Sequence, residues 1–271
     1  NCHVSDIGAL GSCRALKILK LRKTDVTDKD LAQFTSHITT LASLDLEGCQ
    51  HLTDAALTNM THPWPLESIS FGDTALSDAT LKRLANYAPQ LVRLNVGFCK
   101  FTDREVVVSI AKHFPRLTSL RCVNVTSGIN GLVLSIFNSK PVHNIQELIL
   151  PYCECRDMVV MGLSKGFPNL TTLDLSSATE LSNSTLDRLK NCHQLTQLNL
   201  SRSVQLVDAT LQNIFVGCTN LRQVTLQNCI QLTGAAFLKP PRGLTHLVLP
   251  NCFLISQLGN IKSRCVNLKH L

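Results

Sequence analysis

Residues Leu41 to Leu57 read LASLDLEGCQHLTDAAL. Leu41, Leu44 and Leu46 follow an L-x-x-L-x-L pattern, and Asp45 and Glu47 alternate against Leu44 and Leu46. That alternation is strand period, with one face apolar and one polar. Cys49 comes three residues after the last leucine, and Leu52 follows at the next turn. Thr53-Asp54 then has the form of a helix start, a hydroxyl to cap and a carboxylate in the positive first turn. A unit this small cannot bury its own apolar face and requires copies of itself on both sides.

The chain supplies them. The first leucine of each unit falls at Leu16, Leu41, Leu66, Leu91, Leu117, Ile145, Leu170, Leu195, Leu221, Leu244 and Leu268. Successive spacings are 25, 25, 25, 26, 28, 25, 25, 26, 23 and 24 residues. Helix starts recur at Thr27-Asp28, Ser77-Asp78 and Thr102-Asp103, and in degenerate form at Ser182-Asn183 and Val207-Asp208. Apolar residues at helical spacing follow, such as Leu81 and Leu84 or Leu211 and Ile214. The expected fold is an α/β solenoid of about ten repeats, one domain spanning residues 1–271. Right-handed stacking of strand and helix predicts a horseshoe with a parallel sheet on the concave face and helices on the convex face. Asn1 to Ala15 reads as the second half of a unit, and Leu268 to Leu271 stops within a strand, so the expectation is a segment of a longer protein. The pattern weakens between 117 and 144. There Cys122 takes a leucine slot, Val125 takes the cysteine slot, and Asn138 to Asn144 adds residues around Pro141. Tolerated drift is the first reading and a functional protrusion the second. His62-Pro-Trp-Pro65, with the only tryptophan, is expected to plug the end of the core.

Apolar content of 44% is ample for a core, while aromatics are only 5%, which suits a leucine-layered stack. Of twelve cysteines, Cys2, Cys49, Cys99, Cys153, Cys229 and Cys252 follow strands. Cys13, Cys192, Cys218 and Cys265 each precede the next strand's first leucine by three residues. Thr24, Thr74, Ala178 and Ser203 replace cysteine at the first position, which a disulfide or metal site would not tolerate and a small buried slot would. Reduced thiols and an intracellular location, cytoplasmic or nuclear, are therefore expected. Cys153-Glu154-Cys155 lacks a matching second pair for a metal. Sequons at Asn59, Asn124, Asn169 and Asn183 matter only in a secreted protein. No run approaches 18 apolar residues, so no membrane span is expected.

The pattern L-x-x-L-x-L-x-x-C-x-x-(I/L)-T-D in Leu41 to Asp54 resembles the cysteine-containing leucine-rich repeats. Leu91 to Asp103 shows a variant of it, with Val96 and Phe101 in leucine places and one residue fewer after Cys99, and Leu221 to Thr233 shows it with Val224 in a leucine place and Gly234 where the aspartate would stand. The repeats are similar to those of F-box/leucine-rich-repeat proteins. That resemblance implies substrate recognition for a ubiquitin ligase, with a Skp-type adaptor and a cullin bound through a helical box ahead of the repeats. No such box is in this sequence. Similar repeats without a box occur in axonemal and scaffold subunits, the alternative reading.

No phosphate loop, G-x-S-x-G or H-E-x-x-H motif is present, and the nine histidines lack ligand spacing. No catalysis, cofactor or metal is expected. A protein partner on the concave face is. Alternation turns the residues between and just after the leucines outward. Among these, Lys20 and Arg22, Asp45 and Glu47, Arg93 and Asn95, Arg121, Glu147 and Asp174 are the candidate binding residues. Phe98 and Tyr152, one position further along, complete the set, because an aromatic beside arginine favours a binding hot spot. Also outward are Gly72, Gly97, Val123, Ile149, Pro151 and Ser201. Net charge is +7, but its signs alternate along the face, which argues against nucleic acid. Arg14, Lys17, Lys20, Arg22 and Lys23 cluster near the start and are expected to be solvated.

Overall fold

The computed structural model describes residues 7–36, 39–58, 60–99, 113–124, 144–153, 155–256 and 265–270, with the single positions 110, 261 and 263. Several of the features named above lie outside the described residues: Cys2, Asn59, Thr102-Asp103, Val125 with the 126–143 stretch, Glu154 and Leu271. The chain forms two compact units, Asn1–Leu132 and Val133–Leu271.

In the first unit five three-residue strands lie parallel: β1 (Ile18–Lys20), β2 (Ser43–Asp45), β3 (Ser68–Ser70), β4 (Arg93–Asn95) and β5 (Ser119–Arg121). Ile18 pairs with Ser43, Ser43 with Ser68, Ser68 with Arg93 and Arg93 with Ser119. The second unit repeats this with β6 (Glu147–Ile149), β7 (Thr172–Asp174), β8 (Gln197–Asn199), β9 (Gln223–Thr225) and β10 (His246–Val248). The matching apolar positions of each strand are what keep the register, since a one-residue slip would turn every leucine outward. The central strand residue is buried each time: Leu19, Leu44, Ile69, Leu94 and Leu120, then Leu148, Leu173, Leu198, Val224 and Leu247. Burial of one such side chain contributes about 2 kcal/mol.

The segments between strands are not all α-helical as expected. Asp28–Thr35, Asp78–Tyr87, Asp157–Gly166 and Asp208–Gly217 are α-helices of 8 or 10 residues, whereas Asp54–Leu57 and Ala235–Leu238 are single 3-10 turns. Pro63 and Pro65 follow the first and Pro240-Pro241 the second, and proline cannot continue a helix. A third departure has no proline behind it: one α turn, Asn183–Leu186, passes into a 3-10 segment, Asp187–Asn191. Trp64, between the first pair of prolines, is buried, and its backbone N–H donates to the Tyr87 carbonyl at 2.7 Å.

Two polar ladders join successive repeats. One uses the helix-start aspartates, which do more than sit in a first turn. Asp54 accepts from the Ser77 N–H and Oγ at 2.9 and 2.5 Å, and from the Thr80 N–H and Oγ1 at 3.2 and 2.6 Å. Asp28 holds Thr53, Asp157 holds Ser182, and Asp208 holds Thr233 in the same way. Each aspartate thus satisfies backbone donors that the next repeat's start leaves open. Partial burial works to raise the Asp54 carboxyl, but the bonds from Ser77 and Thr80 outweigh it and hold the group below its ordinary value. Asp157 and Asp208 are lowered for the same reasons.

The second ladder is the cysteine slot. Cys49 Sγ donates to the Leu21 carbonyl at 2.9 Å and Cys99 Sγ to Phe71 at 3.3 Å. In the second unit Cys229 and Cys252 reach Leu200 and Leu226 at 3.2 and 3.0 Å. Thr24 and Thr74, in the same slot, donate their hydroxyls to the Leu21 and Phe71 carbonyls at 2.7 and 2.6 Å. Cysteine and threonine interchange here because both fill a small site and both supply a donor to a buried carbonyl. All eleven described cysteines are free, and all but Cys13 are buried.

Candidate partner-binding strand face

In both units the first and last residues of most strands point away from the leucines. Lys20, Arg93 and Arg121 are exposed, and Asp45, Asn95, Glu147 and Asp174 half-buried. Just past the strands, Arg22 is exposed and Glu47 half-buried. The third outward position behaves differently from expectation. Gly72, Gly97, Val123, Pro151 and Ser201 are buried there, as is Ile149 at the end of β6. In the first unit the reason is contact between repeats: a Cβ on Gly72 would lie 2.9 Å from the Gly97 carbonyl oxygen, and one on Gly97 would lie 2.9 Å from the Val123 Cβ.

Several candidate side chains also brace the scaffold. The residue ending a strand accepts from the backbone N–H two positions on: Asp45 from Glu47 at 3.1 Å and Asn95 from Gly97 at 3.1 Å. Asp174 does so from Ser176 at 2.8 Å, and Asn199 from Ser201 at 3.0 Å. These are Asx turns, which bend the chain out of the strand. Glu47 links four repeats of the first unit. It accepts from Arg22 at 2.5 Å through one oxygen, and from Ser70 and Asn95 at 3.4 and 3.1 Å through the other. Arg22 is therefore neutralised on its own face. Arg93 and Arg121 are not: they stand on adjacent strands, two positions apart in register, and among the described residues neither guanidinium has a hydrogen-bonded acceptor. Phe98, in the same unit, is 52% exposed.

In the second unit Asp174 Oδ2 accepts from Asn199 Nδ2 at 3.0 Å. Glu147, Thr172, Asp174, Gln197, Asn199 and Thr225 line a shallow polar cleft of about 240 Å³ across β6 to β9. The ring of Tyr152 carries the guanidinium of Arg202 at 5.9 Å, a cation–π contact within that unit. Arg202 holds the same repeat position as Phe98 and Tyr152, but it escapes a reading of the sequence that looks there for an aromatic side chain. The signal is conformational. The residue after the third outward position has positive φ in every described repeat: Lys23, Gly48, Asp73, Phe98 and Asn124, then Tyr152, Ser177, Arg202, Asn228 and Asn251. Mostly small or amide residues hold this place, and the bulky ones stand out against them.

Thiol chemistry does not compete for the site. Burial pushes the Cys99, Cys192, Cys218 and Cys229 thiols up to about 12, so they stay protonated and unreactive. Cys153 and Cys155 are both buried. Among the described residues no three His, Cys, Asp or Glu side chains group as metal ligands, and no helix is long and apolar enough to cross a membrane.

Short in-register parallel strands, leucines beneath them and thiol donors in a fixed slot define a leucine-rich-repeat fold of the cysteine-containing kind. No family model matches the sequence. Among solved structures, the chain is similar to one in the complex of Rad7 and Elc1 from yeast. There the TM-score is 0.66 and the identity 15%, over 96% of this chain and 77% of that one. It is also similar to an internalin, InlF, from Listeria monocytogenes, with a TM-score of 0.63 and 17% identity over 99% of this chain and 70% of that one. A third likeness is the functional domain of InlJ from Listeria monocytogenes, which itself includes a cysteine ladder. Its TM-score is 0.54 at 18% identity, and this chain covers 56% of it.

Proposed function

We propose that the outward strand face binds a protein partner, without catalysis of its own. The observation that carries this is on the first unit, where Arg93 and Arg121 lack acceptors among the described residues and Phe98 is exposed beside them in sequence. An arginine keeps its five donors for a partner when no neighbouring carboxylate takes them, and aromatic and arginine side chains dominate binding energy at protein interfaces.

Within that reading, the repeats serve as the substrate-recognition part of an F-box-type ubiquitin ligase. The resemblance of Leu41 to Asp54 and its copies to F-box/leucine-rich-repeat proteins supports this. A Skp-type adaptor and a cullin would then be reached through a region outside this sequence. The eleven free cysteines agree with the reducing cytoplasm or nucleus in which such a complex works. Affinity purification of the full-length protein tests it: adaptor and cullin among the partners is the expected result, and their absence overturns the ligase role.

A second reading, a scaffold subunit of a large assembly such as an axonemal complex, has its own observation. Met161 and Val216 are exposed apolar residues on the helices Asp157–Gly166 and Asp208–Gly217, away from the strand face. A scaffold would cover them. If the purified chain is monomeric and refolds reversibly alone, this reading loses its support.

A further inference from the structure

The positive-φ position of the second unit holds Tyr152, Ser177, Arg202, Asn228 and Asn251 in successive repeats. Asparagine and serine adopt that conformation more readily than a large side chain does. Tyr152 and Arg202 nevertheless hold it, at φ 58° and 63°, and backbone strain of this kind gathers at sites of recognition. Adjacent strands stand about 4.8 Å apart, so these two residues are two strand spacings apart with Ser177 between them. The small Ser177 leaves the gap open, and the Arg202 side chain crosses it to lay its guanidinium over the Tyr152 ring, 5.9 Å from the centroid.

Both side chains are exposed. Among the described residues the guanidinium has no hydrogen-bonded acceptor, and the Tyr152 hydroxyl has no partner. Asp174, on the same unit's strand face, is already committed: its two oxygens accept from Ser176 N–H and Asn199 Nδ2. Arg22 of the first unit shows what a satisfied arginine looks like in this fold, with Glu47 at 2.5 Å. Arg202 has the opposite arrangement, a ring to orient it and nothing to neutralise it.

We infer that Arg202, held over the Tyr152 ring, receives an anionic side chain of the protein partner, a carboxylate or a phosphate. The guanidinium is a planar fork that binds either group through two parallel hydrogen bonds, and the cation–π contact with the ring holds it at this place before the partner arrives. The Tyr152 hydroxyl adds a donor at the same place. This inference rests on the strand-face reading above and adds the chemistry of the partner to it.

Short synthetic peptides that differ at one central residue (glutamate, phosphoserine, glutamine or lysine), set in many sequence contexts, test it by fluorescence polarisation against the whole chain. The expected result is a preference for peptides with glutamate or phosphoserine, and the stronger of those two arms identifies the source of the anion. Arg202→Gln and Arg202→Lys should each weaken those peptides about tenfold or more, the lysine variant because it keeps the charge and loses the fork. Tyr152→Ala should weaken them by a smaller factor through loss of the platform. Arg202→Asn places at that position a residue it accepts readily, so a thermal midpoint that is kept or raised, with lost anion preference, separates binding from folding. Peptides that bind without anion preference, or that ignore Arg202→Gln, overturn the inference and leave the interaction reading standing. If no peptide of any kind binds, both fall.

Discussion

Phe98 sits 52% exposed with φ 59°, where its ring gains little from burial and its backbone is strained. Phe98→Asn should therefore raise stability by about 0.5–1 kcal/mol, as relief of a left-handed bulky residue does, while weakening the partner. Denaturant unfolding checks the first half, and a loss of stability would mean that the ring packs rather than waits. The cysteines carry a second prediction. Iodoacetamide at pH 8 should label Cys13 in the native chain and leave Cys99, Cys192, Cys218 and Cys229 untouched until denaturant is added, because burial holds those thiols up near 12. Mass spectrometry of the labelled peptides decides it. The interchange of Cys with Thr and Ser at the slot was legible as small and buried. That the slot is also a donor to a carbonyl, as for Cys49 and Leu21, was not, because composition says nothing of where an S–H points.

At the scale of elements, the T-D pair illustrates how far a sequence motif reaches. Thr27 caps its helix as its type suggests, in a capping box with Asp30. The aspartate after the cap reads as a charge in a helix dipole, yet Asp54 spends its oxygens on Ser77 and Thr80 of the following repeat. A contact 23 or 26 residues away along the chain leaves no local trace, although the repeat spacing is what makes it recur. Asp54→Ala should cost about 2 kcal/mol, since it strands hydrogen-bond donors that had a charged acceptor. Asp54→Asn should cost less. The same ladder sets an acid limit. Asp54, Asp157 and Asp208 titrate below their ordinary 3.8 when folded, so the folded chain binds fewer protons than the unfolded one. Their stabilisation is complete above that value and is lost as pH falls through the lowered folded values. Thermal midpoints measured from pH 7 downward should lose none of this contribution until about pH 4. A loss of it between pH 7 and 5 would assign the stability elsewhere.

For the molecule as a whole, the strand positions and their apolar face were legible from spacing alone, because a period near 25 residues leaves one way to stack leucines, whereas the burial of Gly72, Gly97, Val123, Ile149, Pro151 and Ser201 was not. The short 3-10 turns at Asp54–Leu57 and Ala235–Leu238 were missed although the prolines behind them were in plain view. The candidate face was read in outline. Lys20, Arg93 and Arg121 stand open on it, Arg22, Asp45, Glu47, Asn95 and Asp174 are partly occupied by the scaffold, and Arg202 entered only through its backbone conformation. On the proposed function, partners meet the strands and not the helices. Photo-crosslinking measures this directly: a benzophenone amino acid is placed at Asn95 or Gln197 on the strand face, and at Asn86 or Asn213, exposed positions on helices of the same units. Protein adducts are expected from Asn95 and Gln197 and none from Asn86 and Asn213; adducts from the helix positions alone would place the partner on the helices instead.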